Sequence, residues 1–188
     1  MDALLIALLA SAFAEMGDKT QLLALLLAVR FRSDGAVLAG IALATILNCA
    51  LSAAGGWLIS GLIGSNARTL FFGLPFLFAG VGMLLPLKPP EDAKGWRIGP
   101  FFTAFLTMFI LEFGDKSQFI TAGVAVHTAD PLMAAAGAST GIFLALSPVV
   151  LMRKQFFLDV PLGLIRRVAA VLFLLIGVIL ALKAFELL

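Results

Sequence analysis

Cysteine occurs once in this sequence, at Cys49, inside an apolar run. A lone thiol excludes an intrachain disulfide and a cysteine-rich metal site, and it leaves the redox compartment undefined. Its plainest reading is a small buried hydrophobe. Histidine also occurs once, at His127, which reads as a turn residue at a membrane edge. No Ser/His/Asp constellation and no phosphate-cradling glycine loop after a strand is present, so an enzyme of the soluble type is not expected. Charge is scarce too. Only 13% of the residues are Asp, Glu, Lys or Arg, against about a quarter in a soluble domain. The formal charge of +2 is scattered rather than striped, so no nucleic-acid partner is expected. Apolar residues make up 62% of the 188, more than a water-soluble fold of this size can hide. The solvent for most of the chain is therefore a lipid bilayer.

The apolar runs are continuous rather than alternating, which favours helices over a barrel. A bilayer core of about 30 Å takes roughly 20 residues of helix. Six spans are expected, over about 3–29, 35–63, 67–87, 99–126, 131–152 and 163–185. The fold class is thus all-α, a polytopic membrane protein. Residues 3–29 follow Asp2 and no Lys or Arg, and exceed a signal-peptide core of about 7–15 residues, so they read as a retained span. Lys and Arg in the links or at the ends of the spans crowd the odd links, at 30, 32, 88, 94, 97, 153, 154, 166 and 167, against Arg68 and Lys183 opposite. The odd links should face the cytoplasm and both termini the other side. Trp96 suits an interfacial anchor, whereas Trp57 reads as lying deeper.

A duplication carries the most information. Glu15-Met16-Gly17-Asp18-Lys19-Thr20-Gln21 recurs as Glu112-Phe113-Gly114-Asp115-Lys116-Ser117-Gln118, 97 positions later. The same offset pairs Gly40 with Gly137 and Gly80 with Gly177. Residues 1–87 and 99–188 then form two three-helix repeats, joined by a cytoplasmic linker at 88–98. Three spans per half is an odd number, so the halves insert with opposite orientation. That is the inverted-repeat plan of many secondary transporters, whose substrate sites lie near the midplane.

Within each motif Glu and Asp stand three residues apart, which puts both carboxylates on one face of a continuous helix, with Gln21 or Gln118 one step further along. Lys19 and Lys116 follow their Glu by four positions. A charge at the bilayer centre costs at least about 2.5–3.5 kcal/mol, so these groups need a shared polar interior. Glu15, Asp18, Glu112 and Asp115 with the two lysines carry a net charge of −2, which matches one divalent cation. Carboxylate, amide and hydroxyl oxygens suit Ca²⁺, Mn²⁺ or Mg²⁺, and the absence of His and Cys from the motifs argues against Zn²⁺ and Cu⁺. When the metal leaves, the excess negative charge in low dielectric calls for protons in its place. The four acids are the expected shared metal and proton sites, and no other cofactor is implied. Thr20, Gln21, Ser117 and Gln118 are auxiliary candidates, and Asn48 either joins them or hydrogen-bonds across helices. Lys19 and Lys116 serve as charge partners. Gly17 and Gly114 allow the backbone to approach closely or to unwind. Glycines 55, 56, 61, 80, 82, 137, 141 and 177 read mainly as close-packing positions.

Two complete copies of Glu-x-Gly-Asp-Lys-Ser/Thr, at Glu15 to Thr20 and Glu112 to Ser117, resemble the cation/proton antiporter family of Golgi calcium/manganese transporters and bacterial manganese exporters. The resemblance covers essentially the whole chain. It implies that the acids of both motifs form the cation site and that Mn²⁺, or Ca²⁺ in some members, is exported against protons. The compact chain resembles a prokaryotic member in the plasma membrane. Without the resemblance, the residues alone leave two other readings: an exporter of a small cationic solute such as a basic amino acid, and a scaffold in which the charges only hold helices together. Oligomeric state is not legible in the glycine-lined faces.

Overall fold

The computed structural model describes residues 1–86 and 98–187. Among the described residues every regular element is a helix: α1 (Asp2–Glu15), α2 (Lys19–Phe31), α3 (Asp34–Ser60), α4 (Ser65–Leu84), α5 (Pro100–Glu112), α6 (Lys116–Thr128), α7 (Pro131–Met152), α8 (Lys154–Asp159) and α9 (Leu162–Ala184). The starts are chemically marked. Pro100 and Pro131 occupy the first positions of α5 and α7, where a missing N–H costs nothing. The Asp130 side chain accepts from the Met133 amide at 3.1 Å and caps α7. Helix starts recur at the sequence offset: Lys19 with Lys116, Asp34 with Pro131, Ser65 with Leu162. So do two left-handed stops, Arg32 after α2 and Ala129 after α6. The expected linker at 88–98, and Trp96 in it, lie almost wholly outside the described residues.

Four helices, α3, α4, α7 and α9, are long and apolar enough to cross a membrane. The expected spans at 3–29 and 99–126 are not single helices. Each is broken in two at its motif, between Glu15 and Lys19 and between Glu112 and Lys116. The resulting pieces have 13 or 14 residues, about 20 Å each at 1.5 Å per residue, short of a bilayer core of about 30 Å. Apolar content carries no stop signal here; backbone geometry does. Gly17 and Gly114 take φ of 71° and 77°, in the left-handed region that favours glycine. The following Asp18 and Asp115 are extended and become the N-cap residues of α2 and α6. A break frees backbone amides, and the seventh motif residue answers one of them. Gln21 Oε1 accepts from the Gly17 N–H at 2.9 Å, and Gln118 Oε1 accepts from the Gly114 N–H at 2.9 Å. The link between α7 and α9 holds the short helix α8.

Packing interlocks the two halves of the chain. α1 lies along α7, and α5 lies along α3 in the corresponding manner; α3 also packs on α7, and α4 on α9. Glycines permit the closest approaches. A Cβ on Gly137 or Gly141 would stand 2.2 Å from the carbonyl oxygen of Leu4 or Leu8 in α1. Gly56 meets Ala122 of α6 in the same way, and Gly80 and Gly177 seat α4 against α9. Gly55, Gly61 and Gly82 face open space, so the packing role expected of them does not hold. Trp57 is exposed in the last turn of α3, nearer an edge than its apolar surroundings suggested. His127 sits in the last turn of α6, stacked on Phe72 with ring centroids 4.7 Å apart.

Three outcomes follow. Gly141→Ala forces backbone against backbone and should lower stability by about 1–3 kcal/mol, whereas Gly55→Ala, in the open, should be neutral or slightly stabilising. Thermal unfolding in detergent measures both. Gln118→Leu strips the Gly114 amide of its acceptor and should cost about 1–3 kcal/mol in the same assay.

Candidate functional site

Both breaks bring helix ends to one place. α1 and α5 end there at Glu15 and Glu112, and α2 and α6 begin there after Asp18 and Asp115. Helix C-termini present free carbonyls and partial negative charge, N-termini free amides and partial positive charge. The site thus has fixed dipoles of both signs before any side chain is counted. Neither aspartate folds back to cap its own helix, so both carboxylates remain available to the other half of the chain.

Oxygens of Glu15, Asp18 and Asp115 lie within 4.8 Å of one another. The lysines pair across the halves. Lys116 is bonded to Asp18, with its Nζ 3.5 Å from Asp115, and Lys19 Nζ lies 3.2 Å from Asp115. Glu and Asp therefore do not share one helix face as expected, because the helix stops between them. Their convergence comes from the turn instead. Pairing across the halves also supplies the partners that a lysine bonded to its own Glu would have denied Asp18 and Asp115.

The glutamates lie deeper. Glu15 is fully buried; its Oε2 accepts from the Thr20 hydroxyl, and its Oε1 has no hydrogen bond. Glu112 is equally buried, and neither of its oxygens is hydrogen-bonded. It lies outside the three-carboxylate group yet within electrostatic reach of Glu15. The Ser117 hydroxyl is buried and unbonded as well. Buried polar atoms are nearly always satisfied, so the unbonded carboxylate oxygens set Glu15 and Glu112 apart from the rest of the interior.

The amides act as braces. Besides holding Gly17, Gln21 donates to the Ala145 carbonyl of α7 at 2.8 Å. Gln118 donates to Asn48 Oδ1 at 2.7 Å, and Asn48 Nδ2 donates to the Phe109 carbonyl at 3.2 Å. Asn48 thus hydrogen-bonds across helices, and it stands at the position corresponding to Ala145.

A cleft of about 320 Å³ reaches the acids, lined by Asp18, Lys19, Asp115, Lys116, Met83 and Arg166 among others. Arg166 went unrecognised in the sequence, where Arg166 and Arg167 serve only as orientation charges. Its guanidinium donates to the carbonyls of Gly82 at 3.3 Å and Leu85 at 2.8 Å, tying α9 to the end of α4. An arginine one turn into an otherwise apolar helix was the available signal.

Chemically, three converging carboxylates with further unbonded carboxylate oxygens in electrostatic reach form a hard-oxygen set suited to a hard divalent cation. Comparison with known proteins points the same way. The family model described as "Divalent cation/proton antiporter GDT1" matches residues 3–91 and 100–187. A Vibrio cholerae serotype O1 protein named "Putative manganese exporter" is 39% identical over 178 residues, covering 94% of this chain and 89% of its own. No solved structure matches. Two acidic motifs brought together at broken helices and a family match over both halves lead to one conclusion: this chain belongs to the divalent cation/proton antiporter family, a family of transporters and not of enzymes.

Proposed function

We propose that the protein exports Mn²⁺ from the cytoplasm in exchange for protons, with Ca²⁺ as a second acceptable ion. The observation that carries this reading is the convergence of the Glu15, Asp18 and Asp115 oxygens within 4.8 Å, drawn from both halves of the chain. The manganese in the name of the Vibrio relative supports the choice of ion and the direction. In this reading α1 with α2, and α5 with α6, each form one interrupted span, giving six spans in two inverted repeats. The odd links face the cytoplasm in a prokaryotic plasma membrane. The cleft then opens inward, since its wall includes Leu85, Pro86 and Arg166, which border the third and fifth links.

Exchange follows from charge. A dication bound by Glu15, Asp18 and Asp115 is replaced on release by protons, because uncompensated carboxylates in low dielectric are costly. Glu112 and Ser117, buried and unbonded, extend the same oxygen set and give a departing or arriving ion a second position. Thr20 steadies Glu15, while Gln21, Gln118 and Asn48 hold the broken helices and leave ion binding mainly to the carboxylates.

In proteoliposomes preloaded with Mn²⁺, an acidic exterior should drive the metal out as protons enter, and reversing the gradient should reverse the flux. Asp18→Asn and Asp115→Asn should each lower the rate about tenfold or more, equivalent to about 1.4 kcal/mol in the barrier. Normal flux in both variants would remove the site assignment. Efflux of lysine in place of Mn²⁺ would favour a basic solute as cargo.

A further inference from the structure

Identical chemistry in the two motifs does not produce identical surroundings. Thr20 bonds Glu15, but the corresponding Ser117 hydroxyl is unbonded, as are both carboxylate oxygens of Glu112. Lys19 pairs with Asp115 from the cleft rim, with a third of its side chain exposed (33%). Lys116 is 14% exposed and reaches Asp18 and Asp115 together, within electrostatic reach of Glu15. Those three acids are the set whose oxygens converge as a cation site. An ammonium of this chain therefore stands among the oxygens that a metal would require.

We propose that Lys116 is a tethered counter-cation: it takes the metal position in the conformation seen here, and an incoming dication must displace it. This rests on the transport reading above and adds a role for the lysine within it. A dication and an ammonium among the same three carboxylates repel each other, so the two exclude one another. The side chain is long and flexible, and the cleft offers it a place to withdraw to. Two consequences follow. The metal-free site keeps one compensating charge of its own, and protons from solution supply the rest. Metal affinity is also held below what the carboxylates alone would give, which favours release after transport.

The test compares Mn²⁺ binding to wild type, Lys116→Gln and Lys19→Gln by isothermal titration of the purified full chain. Lys116→Gln should tighten binding, lowering Kd about tenfold or more. Lys19→Gln, which removes the same charge from the rim, should change Kd much less. An unchanged or weaker Kd in Lys116→Gln would overturn the proposal, and so would equal tightening in both variants, which would reflect net charge alone. A measurement on wild type guards against a variant that fails to fold: acetylation of the Lys116 amine, followed by mass spectrometry, should accelerate severalfold when Mn²⁺ saturates the protein. A Lys116 labelling rate that does not rise with metal would sink the idea. Absence of Mn²⁺ and Ca²⁺ binding by wild type would overturn the transport reading itself, and the lysine's role with it.

Discussion

Charge neutralisation across the two halves is the constraint on which the rest of this structure depends. Asp18 is paired by Lys116 and Asp115 by Lys19, so each half supplies the counter-charge of the other. A buried carboxylate stripped of its partner is strongly unfavourable, by about 3–5 kcal/mol in soluble proteins. Asp18 therefore relies on the other half for its counter-charge, and docking of the two is built into the chemistry. The packing reflects it: α1 lies on α7 and α5 on α3, and the glycines that allow backbone contact, Gly137 and Gly141 against α1, lie along the same seam.

Breaking the two helices solves a second problem at the same place. A continuous helix would consume the amides and carbonyls near the motif in its own hydrogen bonds. Interruption at Gly17 and Gly114 releases some of them, and Gln21 and Gln118 take up the glycine amides that would otherwise go unpaired. What remains is an acidic site bordered by two helix starts and two helix ends. Dipoles of both signs at a mid-helix interruption are a means of handling an ion and its counter-charges without further ionised side chains.

Much of this was legible in the residues. The repeat, its offset of 97 positions, the four motif acids and the special role of Gly17 and Gly114 all stand in the sequence, and the bounds expected for α7 are those observed. The break was harder to see, because hydropathy runs through it without change and i, i+3 spacing looks the same whether or not the helix continues. The glycine and the following N-capping aspartate were the local signals, and only the backbone shows that they win over an apolar run. Pairing across the halves was out of reach for a different reason. It depends on how two helices 97 positions apart meet, and periodicity within one helix says nothing about that. Arg166 was hidden by its neighbour, since an arginine pair at a helix start reads as topology until one member is seen tying α9 to the carbonyls of α4.

Some differences between the repeats lie outside the motifs. Gln118 finds the side chain of Asn48, while Gln21 finds only the backbone of Ala145 at the corresponding position. Asn48 in turn holds the Phe109 carbonyl, so α5 is tied to α3 by a bond that α1 does not have to α7. Duplication provides two equivalent carboxylate sets, and divergence of one neighbour gives them different anchors. In a single conformation only one lysine can stand among the converging acids, and Lys116 is there while Lys19 stays at the rim. A pseudo-symmetric chain that was fully symmetric would present the same face to both sides. The asymmetry at Asn48 and Ala145, at Thr20 and Ser117 and between the two lysines sets the two halves apart around this cleft.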